Sequence, residues 1–213
     1  LALRDSPRGS FRWHVWSDWR NPTEAHVDFV NGDYAAARDK AVRSIRALGG
    51  IKTDNAFQRR NRDFQLVDAL FIEAQARYQL KDHAGAEAAI RRSVELRREF
   101  PYFNVFQDVG RAEDEAVHAI VLARLGRLAE AREALAPALA FFAKLPQANH
   151  RQPWLAMRLA QARLAQALVQ SAEARVHLAA AAKLLDDMPP ETRGMATVTL
   201  IRNEIALEMA ARR

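Results

Sequence analysis

The sequence contains no cysteine, which excludes disulfides, thiolate metal sites and cysteine nucleophiles. Glycine and proline are also scarce, with eight residues of each among 213. These two residues are the poorest helix formers, whereas alanine, which occurs 42 times, is the best. Runs of the β-branched and aromatic residues that strands prefer are few. The composition therefore predicts an all-α protein.

Long apolar runs are lacking as well, and none approaches the roughly 20 residues that a membrane-spanning helix needs. The net charge of +6 raises nucleic acid or an anionic membrane as a partner. Most arginines, however, lie near acidic residues in helical segments, as Arg91 and Arg92 do near Glu95. Such interleaving is typical of a solvated, salt-bridged surface. Nucleic acid is therefore disfavoured as a partner, and the basic charge alone names no other.

Signatures of catalysis are missing: there is no Gly-rich phosphate loop, no His-Glu-x-x-His and no Gly-x-Ser-x-Gly. Glu115 and His118 have the Glu-x-x-His spacing of di-iron helix bundles, but such sites need a second pair that this sequence lacks. We therefore expect no metal, no other cofactor and no enzymatic activity.

One pattern recurs four times along the chain. A short turn leads into a helix that carries a small residue, a larger apolar residue four positions later, and a small residue three positions after that. This spacing places the three anchors on one helix face, and the small ones let a neighbouring helix approach closely. Only the first set has a small residue, Ala41, in the middle position. The anchors are Ala37, Ala41 and Ser44; Ala86, Ile90 and Ser93; Ala131, Leu135 and Ala138; and Ala174, Leu178 and Ala181.

A partner helix precedes each turn. We predict the first near Pro22 and the others at 62–80, 112–125 and 153–168. A last amphipathic helix at 191–211 would remain unpaired and cover the open end of a helical stack.

The N-terminal segment, residues 1–20, carries Trp13, Trp16 and Trp19. Residues three apart share one stripe on a helix, so we expect this segment to cap a repeat domain at 21–213, with a binding platform as the competing interpretation. The opening residues read like the inside of a longer protein, so we expect an excised domain. The lack of cysteine is compatible with both the cytoplasm and the periplasm, and we favour the cytoplasm.

The turns at 31–37 (NGDYAAA) and 125–131 (LGRLAEA) resemble the turn of the tetratricopeptide repeat. Small residues of the partner helices, twelve positions before each turn's alanine, fit the same family. The resemblance covers about residues 22–189 and implies a right-handed solenoid of about four helical hairpins plus a C-terminal capping helix. The repeats are enlarged, because their anchors lie 49, 45 and 43 residues apart rather than the family's 34. The companion small residues are Ala25, Ala74, Ala119 and Ala162.

The resemblance also implies a curved inner surface that is lined by the first helix of each unit. Aromatic anchors in the N-terminal half and arginines in the C-terminal half favour a peptide or partner helix with apolar and acidic residues. We therefore expect a protein-interaction module of a larger bacterial regulatory or scaffold protein. A ligand-sensing domain coupled to an output domain is the alternative, and a homodimer stays open. The lining residues implied by the resemblance are His26, Phe29, Gln75, Tyr78, Gln79, Arg124, Arg163 and Gln166.

Two irregular segments compete with this groove as binding surfaces. Residues 49–62 are predicted to form a long loop with a basic tip, which would meet an acidic partner or remain solvated. Residues 100–110 are predicted to form an aromatic connection, which would bind a partner or plug the space between helices. The residues concerned are Arg59, Arg60 and Arg62 in the first segment and Tyr102, Phe103 and Phe106 in the second.

Overall fold

The computed structural model describes residues 24–100, 105–146, 149–150 and 152–212, apart from the side chains of Val105 and Phe106. Helices account for most of these residues and strands for none of them, which confirms the predicted all-α class. The Trp-rich segment lies outside the described residues, so its capping role and the domain boundary after residue 20 stay predictions.

The helices are arranged in two compact units, Leu1–Glu99 and Phe100–Arg213. In the first unit they are α1 (24–30), α2 (Tyr34–Gly49), α3 (Ala56–Gln79) and α4 (His83–Glu99). In the second unit they are α5 (Val105–Arg124), α6 (Leu128–Lys144), α7 (Pro153–Val169), α8 (Ala174–Asp186), α9 (Pro190–Arg193) and α10 (Ala196–Ala211).

The first unit is built around α3, which packs against both α2 and α4. Ala25 of α1, Ala41 of α2 and Ile72 of α3 form one buried cluster. A second cluster joins Leu48 of α2 to Leu70 of α3. The unit therefore consists of two packed hairpins, α1–α2 and α3–α4.

The second unit repeats this arrangement. α5 packs against α6, and α7 packs against α8. α7 also contacts both helices of the preceding hairpin, and α10 likewise contacts both α7 and α8. α10 therefore occupies the place that the first helix of a further hairpin would take.

All twelve predicted anchor residues are buried, with at most 1% of their surface exposed. The four companion alanines of the first helices are each 0% exposed. Burial of a large anchor such as Ile90 or Leu178 contributes about 1.5–3 kcal/mol. The four-and-three spacing thus predicted correctly which positions of these helices are buried.

Three of the four hairpin turns share one backbone geometry. Each contains a residue in the left-handed region, and the next residue donates its N–H to the carbonyl five positions back, as in a Schellman motif. This geometry reverses the chain tightly while satisfying the last carbonyls of the first helix. The left-handed residues are Gly32 (φ +84°), Lys81 (φ +66°) and Gly126 (φ +76°), and the closing bonds from Asp33, Asp82 and Arg127 measure 2.9, 2.9 and 3.0 Å.

Aromatic rings reinforce the first two turns. The ring centroids of Phe29 and Tyr34 are 5.4 Å apart, and those of Tyr78 and His83 are 5.3 Å apart. The two pairs occupy equivalent positions 49 residues apart, and such contacts add about 0.5–1.5 kcal/mol to simple burial. His83 therefore takes the place in the second turn that Tyr34 has in the first.

Asp82 caps α4 by accepting the N–H of Gly85 at 2.9 Å, and its other oxygen pairs with Arg77 at 2.6 Å. The bond from Gly85, followed by the one from Arg77, holds the pKa of Asp82 below its usual value. A Cβ at position 85 would lie 2.3 Å from the Asp82 carboxylate, so a larger residue there would displace this ion pair.

The predicted loop at 49–62 was wrong, because α3 already begins at Ala56. Oδ1 of Asn55 accepts the N–H groups of Phe57 and Gln58 at 3.0 and 3.1 Å, which caps the helix six residues earlier than predicted. No glycine or proline interrupts the helix between 56 and 79. The connection is therefore short, and the three arginines lie on the helix.

Other predicted element boundaries also differ from those in the structure. α5 begins at Val105, within the predicted 100–110 connection. The predicted last helix is broken into α9 and α10, because Met195 is extended (φ −63°, ψ 138°) after Gly194. The fourth turn uses a 3₁₀ segment, Ser171–Glu173, in place of a left-handed residue.

Lys81 is the non-glycine residue among the left-handed turn positions, and the left-handed conformation costs such a residue about 1–2 kcal/mol. Glycine avoids this steric cost, but it loses more conformational entropy on folding, which offsets part of the gain. We therefore expect Lys81→Gly to raise the free energy of unfolding by about 0.5–1 kcal/mol. Urea unfolding followed by circular dichroism measures it.

The control for this change is Gly126→Ala, at the equivalent position of the third turn. No atom lies within 4 Å of the added Cβ, so only backbone strain acts, and we expect a loss of about 1 kcal/mol. A destabilising Lys81→Gly would contradict the assigned turn geometry.

Candidate functional site

In the first unit, the predicted lining residues differ in exposure according to whether they are polar or aromatic. His26 is exposed, and Gln75 and Gln79 are half-buried. Phe29 and Tyr78, however, are only 3% and 8% exposed, and their rings pack against the turns. The polar members of the set are therefore accessible, while the two aromatic members stabilise the hairpins.

Other aromatic side chains lie on the same side of α3. Phe57, Phe64 and Phe71 precede Tyr78 at intervals of seven residues, a spacing that returns to nearly the same side with a drift of about 20° per heptad. Phe57 is 70% exposed, and Phe64 and Phe71 are half-buried. We call these three residues the α3 aromatic stripe.

Sequence reasoning missed the stripe for one local reason. With α3 predicted to begin at residue 62, Phe57 fell in a loop and could not be aligned with Phe64 and Phe71. The seven-residue spacing was the available signal, and recognising the Asn55 cap would have made it readable.

Charged groups of both signs accompany the stripe. The guanidinium of Arg60 lies 5.3 Å from the ring centroid of Phe64, a cation–π contact. Asp68, with 65% of its side chain exposed, lies one turn beyond Phe64 and pairs with Arg97 of α4 at 3.4 Å. The surface around the stripe therefore carries apolar rings together with a positive charge at Arg60 and a negative charge at Asp68.

The other predicted basic residues hold the connection onto α3. Arg59 donates to the carbonyl of Asp54 at 3.2 Å, and Arg62 donates to that of Ile51 at 3.1 Å. Arg62 also pairs with Asp63 at 2.6 Å. These contacts give Arg59 and Arg62 a structural role.

The predicted aromatic residues of the second segment cannot be placed in the same way. Tyr102 and Phe103 lie outside the described residues, as does the side chain of Phe106. Their proposed surface stays a prediction.

In the second unit, the predicted lining residues contact the chain's own polar groups. Arg124 of α5 binds Glu208 of α10 at 2.6 Å, and Arg212 approaches the other oxygen of Glu208 at 3.3 Å. Arg163 donates to Gln166 at 2.7 Å, and Gln166 is 8% exposed. The predicted basic lining of this unit is therefore already partly neutralised by α10.

The Glu-x-x-His pair on α5 lies in a partly buried setting, with Glu115 at 3% exposure and His118 half-buried. The neighbouring Glu113 binds Arg158 of α7 at 2.6 Å. Among the described residues, no group of three or more His, Asp or Glu side chains is placed to hold a metal ion.

Comparisons of the chain with protein-family models, curated proteins and solved structures found no match. Of the helices in the described ranges, none combines the length and apolar character required to cross a membrane.

The Arg124–Glu208 contact joins α5 and α10, which both pack on α7. Its side chains are 30% and 13% exposed, so we expect a coupling free energy of about 0.5–1 kcal/mol in a double-mutant cycle with Arg124→Ala and Glu208→Ala. Molar salt should reduce it through screening. Urea unfolding of the four proteins gives the value.

Lys183 and Asp187 provide the matched control, because this ion pair is 3.1 Å long but 75% and 61% exposed. Its coupling should be smaller. Equal couplings for the two pairs would contradict a stabilising contact between α5 and α10.

Proposed function

We propose that this protein is a non-catalytic interaction module, a tetratricopeptide-like right-handed solenoid that holds a protein partner on α3, the first helix of its second hairpin. The observation that carries the proposal is the α3 aromatic stripe. Clustered apolar side chains at a surface are typical of interaction sites, and the stripe continues Phe57, which is 70% exposed, with the half-buried Phe64 and Phe71.

Two observations support the repeat architecture. The left-handed turns at Gly32, Lys81 and Gly126 have equivalent hydrogen bonds. Within the second unit, each new first helix packs on both helices of the hairpin before it. Local contacts of this kind, repeated along the chain, are what a solenoid requires.

The proposed partner is an amphipathic helix. The seven-residue spacing of the stripe matches the period at which two packed helices present apolar side chains to each other. From Phe57 to Phe71 the stripe rises about 21 Å, so a partner helix of about four turns would cover it.

Charge should fix the direction of this partner helix. Arg60 lies toward the N-terminal end of the stripe and Asp68 toward its C-terminal end, each four residues from Phe64. A partner with an acidic residue opposite Arg60 and a basic residue opposite Asp68 satisfies both, whereas the reversed orientation places like charges together. The module would hold this partner for a larger bacterial regulatory or scaffold protein.

Photocrosslinking tests the proposed surface directly. A benzoylphenylalanine at position 57 or 71 should crosslink a protein in an extract of the native cells. Position 176 on α8 is the control, because Val176 is 68% exposed and belongs to the second unit. Crosslinks at 176 but not at 57 or 71 would contradict the assignment.

The captured partner then permits a quantitative measurement. Because exposed aromatic anchors contribute about 1–2 kcal/mol each, we expect Phe57→Ala with Phe71→Ala to weaken binding by a factor of about 30 or more. Val176→Ala should leave the Kd unchanged. Circular dichroism of both variants checks that the helices are intact.

A further inference from the structure

Asn31 and Gly32, in the turn between α1 and α2, form a chemically reactive pair. The chain has seven asparagines, and Asn31 is the one that precedes a glycine. Both residues are exposed to solvent. The backbone nitrogen that follows an asparagine can attack its side-chain amide, and a glycine, which lacks a side chain, obstructs this attack least. The first turn is therefore the place in the chain where this reaction meets the least steric hindrance.

We propose that Asn31 is a site of spontaneous deamidation, which converts it to isoaspartate or aspartate. The backbone nitrogen of Gly32 loses its proton and attacks the side-chain Cγ of Asn31. The N–Cγ bond forms, the bond from Cγ to the amide nitrogen breaks, and ammonia leaves a succinimide ring behind. Water then opens the ring at either of its two carbonyls. One water is consumed and one ammonia released, so the reaction requires no oxidant or reductant.

The hydrogen bonds of the folded turn restrain this reaction. The attacking nitrogen is engaged, because the N–H of Gly32 donates to the carbonyl of Phe29 at 3.1 Å. The next N–H, that of Asp33, closes the turn on the carbonyl of Asp28 at 2.9 Å. Attack requires the Gly32 nitrogen to leave its acceptor and approach Cγ of Asn31. The rate of deamidation is therefore set by how often the turn opens locally.

The contact between the rings of Phe29 and Tyr34 determines how firmly the turn is closed. The two residues flank the reactive pair in sequence, and their ring centroids are 5.4 Å apart. Opening the turn moves the backbone of Phe29 away from Gly32 and so disturbs the ring contact. Removal of the Tyr34 ring should therefore increase the open fraction and accelerate the reaction.

Both products are unfavourable in the folded turn. Isoaspartate inserts one methylene group into the backbone, which shifts the N–H of Asp33 relative to the carbonyl of Asp28. Either product also adds a carboxylate beside Asp33 at the C-terminal end of α1, where the helix dipole disfavours negative charge. The first hairpin packs on α3 through the buried cluster of Ala25, Ala41 and Ile72. The modified chain should therefore be less stable than the original one.

The equivalent turns of the next two hairpins lack the reactive amide. Lys81 and Gly126 take the place of Gly32, and each follows a leucine. These turns have the same closing hydrogen bonds as the first one. The second turn therefore provides a matched control for the first. The reaction at Asn31 is independent of the partner proposed for α3.

Incubation of the purified chain in warm, mildly alkaline buffer, followed by peptide mapping with mass spectrometry, tests the proposal. The peptide that contains residue 31 should show the mass change from amide to acid and separate into aspartate and isoaspartate forms. Asn55 and Asn203, which precede alanine and glutamate, should remain amides. In urea the reaction at Asn31 should be faster by a factor of about 10 or more, because the folded turn is open only as a minor state. The isolated isoaspartate form should unfold at a lower urea concentration than the original chain.

Two variants test the control by the turn. Tyr34→Ala should accelerate the reaction of the folded chain by a factor of about 2–10, which corresponds to the loss of one aromatic pair. His83→Ala, at the equivalent position of the second turn, should leave the rate unchanged. Circular dichroism checks that both variants are folded. Conversion of Asn55 or Asn203 before Asn31, equal rates in buffer and urea, or equal acceleration by the two variants would overturn the proposal.

Discussion

Close approach of helices along small side chains is the constraint on which the rest of this structure depends. The anchors of every hairpin include alanine or serine residues with almost no exposed surface, among them Ala37, Ser44 and Ala86. Interiors are packed about as densely as organic crystals, so the space at these positions is too small for larger side chains. The larger anchors, such as Ile90, then fill the remaining volume between helices.

The α3 aromatic stripe lies outside the closest of these helix contacts. On α3, Ala69, Ala74 and Ala76 face neighbouring helices with 0% exposure, whereas Phe57 is exposed and Phe71 half-buried. Alanines thus line the closest helix contacts beside larger buried side chains such as Leu70, while Phe57 lies at the surface. The proposed partner would bury the part of the stripe that the hairpins leave exposed.

The sequence predicted the helix class and the interhelical contacts because both follow from local spacing. The positions of Ala131, Leu135 and Ala138 could be read from period and size alone. Helix starts were less predictable, since they depended on caps such as Asn55 and on the extended backbone at Met195. The burial of Phe29 and Tyr78 could not be read from register, because it results from ring contacts made across the turns.

Enlarging one small anchor tests most directly whether close helix approach holds the hairpins together. Ala86 is 0% exposed, whereas Ala88 is exposed on the same helix. If close helix approach holds the hairpins together, Ala86→Leu should lower the free energy of unfolding by about 1–3 kcal/mol through overpacking. Ala88→Leu should change it by less than about 0.5 kcal/mol. Equal stabilities of the two variants in urea unfolding would contradict the account.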